Sequence, residues 1–66
     1  MTLPARLRTL RLAAGLSVPA LAAAAGVTAQ AIRYLEAGSR APSLETAAKL
    51  AVALGVSLEL FAGMKP

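Results

Sequence analysis

The chain has 66 residues with no cysteine and no histidine, which allows one small core and removes disulfides, thiolate and imidazole nucleophiles, and the usual zinc ligands. Its formal charge of +4 comes from Arg6, Arg8, Arg11, Arg33, Arg40, Lys49 and Lys65 against Glu36, Glu45 and Glu59, a balance that favours a polyanionic partner. No paired base, metal set or glycine-rich phosphate loop assembles a reactive site, so neither an enzyme nor a cofactor is expected.

The punctuation of the chain predicts five short helices and no strand. The first spans about residues 4–14: Pro4 suits a first turn, Leu3, Leu7, Leu10 and Ala14 recur at helical spacing, and Gly15 stops it. The second, over 17–25, has Ser17 as N-cap, Pro19 tolerated in its first turn, Leu21, Ala22 and Ala25 as inner stripe, and Gly26 in the left-handed cap position. The third, over 28–37, is capped by Thr28 and closed by Gly38, with Ile32 and Leu35 facing inward and Gln30, Arg33 and Tyr34 facing out or sideways. Pro42 forces a loop before it. Ser43 then caps a fourth helix over 43–54 with the stripe Leu44, Ala47, Ala48, Leu50, Ala51 and Leu54, ended by Gly55. Ser57 opens a last short helix over 57–62 containing Leu58, Leu60 and Phe61.

Leu12 to Ile32 contains no charge and follows an arginine-rich start, a pattern shared with secretory signals and membrane spans. Against a span stand Gly15, Ser17, Pro19, Gly26, Thr28 and Gln30, and an alanine content that supplies little transfer energy into lipid. Against a cleaved signal, the remaining chain would be too short to fold without disulfides. The alanines are better explained as helix formers, which lose no side-chain entropy.

One constellation stands out: Gly15-Leu16-Ser17, Leu21-Ala22, Gly26-Val27-Thr28, Ile32, Leu35-Glu36-Ala37-Gly38, Pro42 and Ser43. With these residues in this order and spacing the chain resembles the phage-repressor-like helix-turn-helix family, the Cro and xenobiotic-response-element type. The likeness runs from Leu7 through Leu50-Ala51 and Leu54-Gly55-Val56 to Leu60-Phe61. It implies an all-α fold, a compact lambda-repressor-like bundle of five short helices, forming a single domain over 1–66 with helices two and three as the helix-turn-helix. The physics of the pattern agrees: a small Ala22 lets those helices approach, Gly26 makes the tight turn, and Val27 and Ile32 fill the angle that leaves helix three projecting.

The resemblance implies that helix three enters the major groove, with base-facing positions at Thr28, Ala29, Gln30, Arg33 and Tyr34. Gln30 has the paired donor and acceptor that read adenine, Arg33 can read guanine or hold a phosphate, and the Ala29 methyl can meet a thymine methyl. Phosphate contacts are expected from Arg40 and from the start of helix two at Ser17 and Val18, with Arg8 and Arg11 as further candidates. Here the chain departs from its relatives, which usually carry a polar residue, often glutamine, after the Ser17 position. Val18 has no side-chain donor and Pro19 no N–H, so clamping there should be weak unless Arg6 or Arg8 substitutes. The resemblance also implies an ion pair between Arg11 and Glu36, the one acid in the first forty residues.

These readings lead to a sequence-specific double-stranded DNA-binding transcriptional regulator, a repressor, acting in the cytoplasm on a bacterial or phage nucleoid. A homodimer is expected, since one short helix reads too few base pairs alone. Its interface is assigned to the end of helix four and the last turn, through Leu54, Leu58, Phe61 and Met64. For Phe61 and Leu60 the alternative is that they complete the core. The competing function is an antitoxin or bridging protein whose main role is binding a protein partner, a toxin or a transcription factor.

Overall fold

The computed structural model of the chain describes residues 2–61. Four α-helices, α1 (Leu3–Ala13), α2 (Val18–Ala25), α3 (Ala29–Ala37) and α4 (Leu44–Leu54), are followed by one 3-10 turn over Leu58–Leu60. No strand occurs among the described residues. The bundle is therefore all-helical, with four α-helices where five helices were expected.

Each helix begins at a hydroxyl. The side chains of Thr2, Ser17, Thr28 and Ser43 accept from the backbone N–H of Ala5, Ala20, Ala31 and Thr46, satisfying a donor that the helix itself leaves unpaired. Thr2 moves the start of α1 ahead of Pro4. Each helix also ends in the same way. The N–H groups of Leu16, Val27, Ser39 and Val56 reach back to the carbonyls of Arg11, Ala22, Tyr34 and Ala51, the six-to-one bond of the Schellman motif. Three of these four following residues, Leu16, Val27 and Val56, pack against the core, so each ending also fixes the direction of the next segment.

The core takes apolar side chains from all four helices and from Phe61, with Leu7, Leu21, Ile32 and Leu50 at its centre. Full burial of such a side chain stabilises by roughly 1.5–3 kcal/mol. Helix α3 packs against both α1 and α2, α2 also packs on α4, and the 3-10 turn closes on α4. At the far end of α3, Gly38 (φ +78°) lies close to Pro4, whose Cγ would sit 3.5 Å from an added Cβ. The start of α1 is thereby seated on the end of α3.

Four expectations about the scaffold change. The last element is a single 3-10 turn, because only a few residues separate Gly55 from Phe61, which must turn into the core, and so short a segment favours three-residue hydrogen bonding over an α-helical nucleus. Phe61 is a core residue, only 7% exposed, which withdraws it from the interface set. Leu44 is 75% exposed: it occupies the first position of α4, and the inward stripe starts one turn later at Ala47. Ala14, placed on the inner stripe of helix one, is exposed, while Arg11 on α1 is buried. Met64 and the side chain of Leu60 lie outside the described residues.

Candidate nucleic-acid interface

The geometry of the candidate site is set at the α2–α3 corner. Ala22 and Ala25 are buried on α2, which packs on both α3 and α4, and a larger residue at either would have to displace its neighbours. Gly26 takes φ +71°, and an added Cβ there would meet no atom within 4 Å. The need for glycine is thus conformational rather than steric, since the left-handed region is costly for other residues. Val27 follows, half-buried against the core, and Thr28 caps α3, its Oγ1 accepting from Ala31 at 3.0 Å. With Ile32 fully buried and Leu35 nearly so, the opposite face of α3 is turned outward.

That outward face carries Gln30 and Arg33, both exposed, with Tyr34 half-buried one turn beyond Gln30. Gln30 Nε2 donates to the Tyr34 hydroxyl at 2.6 Å. Arg40, from the loop after α3, lies over the Tyr34 ring with its guanidinium carbon 4.6 Å from the ring centroid, within the range of a cation–π contact. Thr28, Gln30, Ala31, Tyr34 and Arg40 line one shallow surface depression. Ala29 departs from its expected place: it is half-buried and packed against the core, so its methyl does not join the outward set.

The start of α2 offers little to an anion. Ser17 Oγ accepts from Ala20 N–H at 3.1 Å, Pro19 has no N–H, and Leu21 N–H is bonded to the Ser17 carbonyl. Of the first turn, this leaves the Val18 N–H as the unbonded donor. The Val18 side chain packs on the core, which gives the physical reason for a valine there: it contributes apolar burial, not a polar contact. Arg8 is exposed on α1, and Arg6 is half-buried with a buried Nε that has no partner.

Arg11 belongs to the scaffold. Its Nε donates to Glu36 Oε2 at 2.6 Å and its Nη2 to Glu36 Oε1 at 3.0 Å, while Nη1 donates to the Leu16 carbonyl at 3.0 Å. The two side chains are 10% and 11% exposed. The hydrogen bonds that Arg11 donates to Glu36 raise its pKa further above its already high value, against the opposing effect of burial. Three of its five guanidinium N–H groups are bonded within the scaffold and the side chain is largely buried, so the role that the structure gives Arg11 is structural. The pair ties α1 to α3, and the third bond fixes the turn into α2.

Two features were missed in the sequence. The Gln30–Tyr34 bond had a signal, the i, i+4 spacing on one helix face; the Arg40 stack had none, because it depends on how the loop folds back over α3. Among the described residues no group of histidine, cysteine, aspartate or glutamate can hold a metal ion, and no helix is long and apolar enough to cross a membrane.

Comparison with curated proteins finds no match. Comparison with protein families gives a match to Helix-turn-helix over residues 7–61, which takes in all of α2, α3, α4 and the 3-10 turn and most of α1. With the α2–α3 corner built as that motif requires, the chain belongs to the helix-turn-helix family of the Cro and xenobiotic-response-element type, and membership implies DNA binding.

Proposed function

We propose that this protein is a sequence-specific transcriptional regulator, a repressor, that inserts α3 into the major groove of double-stranded DNA and acts by binding alone, without catalysis. The observation that carries the proposal is the outward face of α3: Gln30 and Arg33 project from a helix whose other face is locked by Ile32 and Leu35. Gln30 suits adenine, and Arg33 suits guanine or a phosphate. Arg40 supplies a backbone contact beside them, and Arg8 a second positive charge on α1.

Two copies are needed to read an operator of useful length, so the working form is a homodimer on half-sites about one helical turn apart. Leu54 and Leu58 are half-buried against the core, whereas Val52 on α4 is 82% exposed. Val52 therefore joins the end of α4 as the apolar group most open to a second subunit. The alternative, a protein that neutralises or bridges a protein partner, draws on the same exposed apolar side chains.

The test is selection of the purified protein on random-sequence DNA, with a salt titration, beside Q30A and R33A. The proposal expects a palindromic site, affinity that falls with salt, and relaxed base preference in both variants. Absent or purely nonspecific binding that neither variant changes would reject it and leave the protein-partner role.

A further inference from the structure

We propose that Tyr34 is a specificity-determining positioning residue: its hydroxyl sets the amide of Gln30, its ring is held by Arg40, and the three side chains meet DNA as one preorganised reader. The inference rests on the major-groove reading of α3 and deepens it.

The argument starts from what an exposed glutamine lacks. A free Gln30 would sample many rotamers, and base pairing through its amide would require choosing one of them on binding. The 2.6 Å bond from Nε2 to the Tyr34 hydroxyl makes that choice beforehand. It does so without consuming the reading edge. A primary amide has two N–H groups and a carbonyl oxygen; one N–H goes to Tyr34, which leaves a second N–H and Oε1 without a partner in that bond. These are the donor and acceptor that pair with N7 and the N6 amino group of adenine.

Tyr34 needs its own support to act in this way, since its side chain is only half-buried. Arg40 provides it from the loop, with the guanidinium 4.6 Å from the ring centroid. A guanidinium packed on an aromatic face keeps the N–H groups at its edge, where they can meet a phosphate. The Tyr34 hydroxyl, accepting from Gln30, still has its own proton to donate. Base-reading and backbone-binding groups thus share one depression, which Thr28 also lines, and loss of either contact to Tyr34 should be felt at the base that Gln30 reads.

The experiment compares base preference, position by position in the selected site, for wild type, Q30A, Y34F, R40K and Q30A/Y34F, with thermal midpoints as the control for folding. Y34F keeps the ring and the stack but removes the hydroxyl, and it should lower discrimination at the base pair read by Gln30 by about three- to tenfold, the worth of one hydrogen bond. Q30A/Y34F should lose no more at that position than Q30A alone. R40K keeps the charge but not the planar stack, and should give a smaller loss at the same position. If Q30A relaxes the site while Y34F does not, the assignment to Tyr34 is overturned and the reading of α3 survives. If R40K matches wild type at that position, the role of Arg40 is overturned. If wild type selects no sequence, both the reading and the inference fall.

Discussion

Replacing Glu36 by alanine would leave two N–H groups of the Arg11 guanidinium unpaired in a site where that side chain is 10% exposed. Breaking a buried pair from one side costs about 3–5 kcal/mol, because the surviving charge has lost its compensation. A chain of this length has a total stability of about 3–10 kcal/mol, so E36A should take about a third of it or more. E36Q, which keeps one acceptor oxygen, should fall between E36A and wild type. R11M has two costs: it strands the Glu36 carboxylate and also the Leu16 carbonyl, which had accepted from Nη1. In R11M/E36A the Leu16 cost remains while the stranded charge is gone, so the double variant should be more stable than the sum of the R11M and E36A losses predicts, by about 2–3 kcal/mol.

Urea denaturation followed by far-ultraviolet circular dichroism gives the four corners of that cycle, with thermal midpoints as a check at about 4–8 °C per kcal/mol. The Arg11 pKa is raised on folding. Its contribution is therefore complete at every pH below the ordinary arginine value and is lost only as pH rises through the raised one, so titration of Arg11 should not change the R11M cost across the neutral range. Additivity within about 0.5 kcal/mol would refute the reasoning.

Three further outcomes are expected. Gly26→Ala should destabilise by about 1–2 kcal/mol through its backbone alone, since no atom lies near the added Cβ; a larger loss in chemical denaturation would mean a clash that the geometry does not contain. Arg40→Ala should weaken DNA binding and lower the slope of log affinity against log salt by about one, whereas Val18→Ala should leave DNA affinity nearly unchanged once folding is controlled for. Equal losses in a salt-titrated binding assay would restore Val18 to the phosphate set. Val52→Glu, at an exposed position, should change monomer stability by no more than about 0.5 kcal/mol while weakening self-association measured by sedimentation; unchanged association would remove α4 from the proposed dimer contact.

The features legible in the amino-acid order rest on interactions within a few residues along the chain. Ser17, Thr28 and Ser43 cap their helices through side chains that reach only three residues on, and Gly15, Gly26, Gly38 and Gly55 take the left-handed conformation that closes a helix. Such interactions need no partner from elsewhere in the fold, so helix limits and the helix-turn-helix spacing were legible, and the Arg11–Glu36 pair was implied by the family likeness. The inner stripes Leu21-Ala22-Ala25 and Ile32-Leu35 were legible as well, but packing between segments set where the covered faces begin and end. Ala29 packs inward, Leu44 stands in solvent, Phe61 turns into the core and converts the last helix to a 3-10 turn, and Arg11 gains a second partner, the Leu16 carbonyl, through its third hydrogen bond. The cluster of Gln30, Tyr34 and Arg40 belongs to the same class. One of its contacts follows the helical repeat, but the other depends on the path of the loop after Gly38, and that path is set by packing between segments rather than by propensity within one.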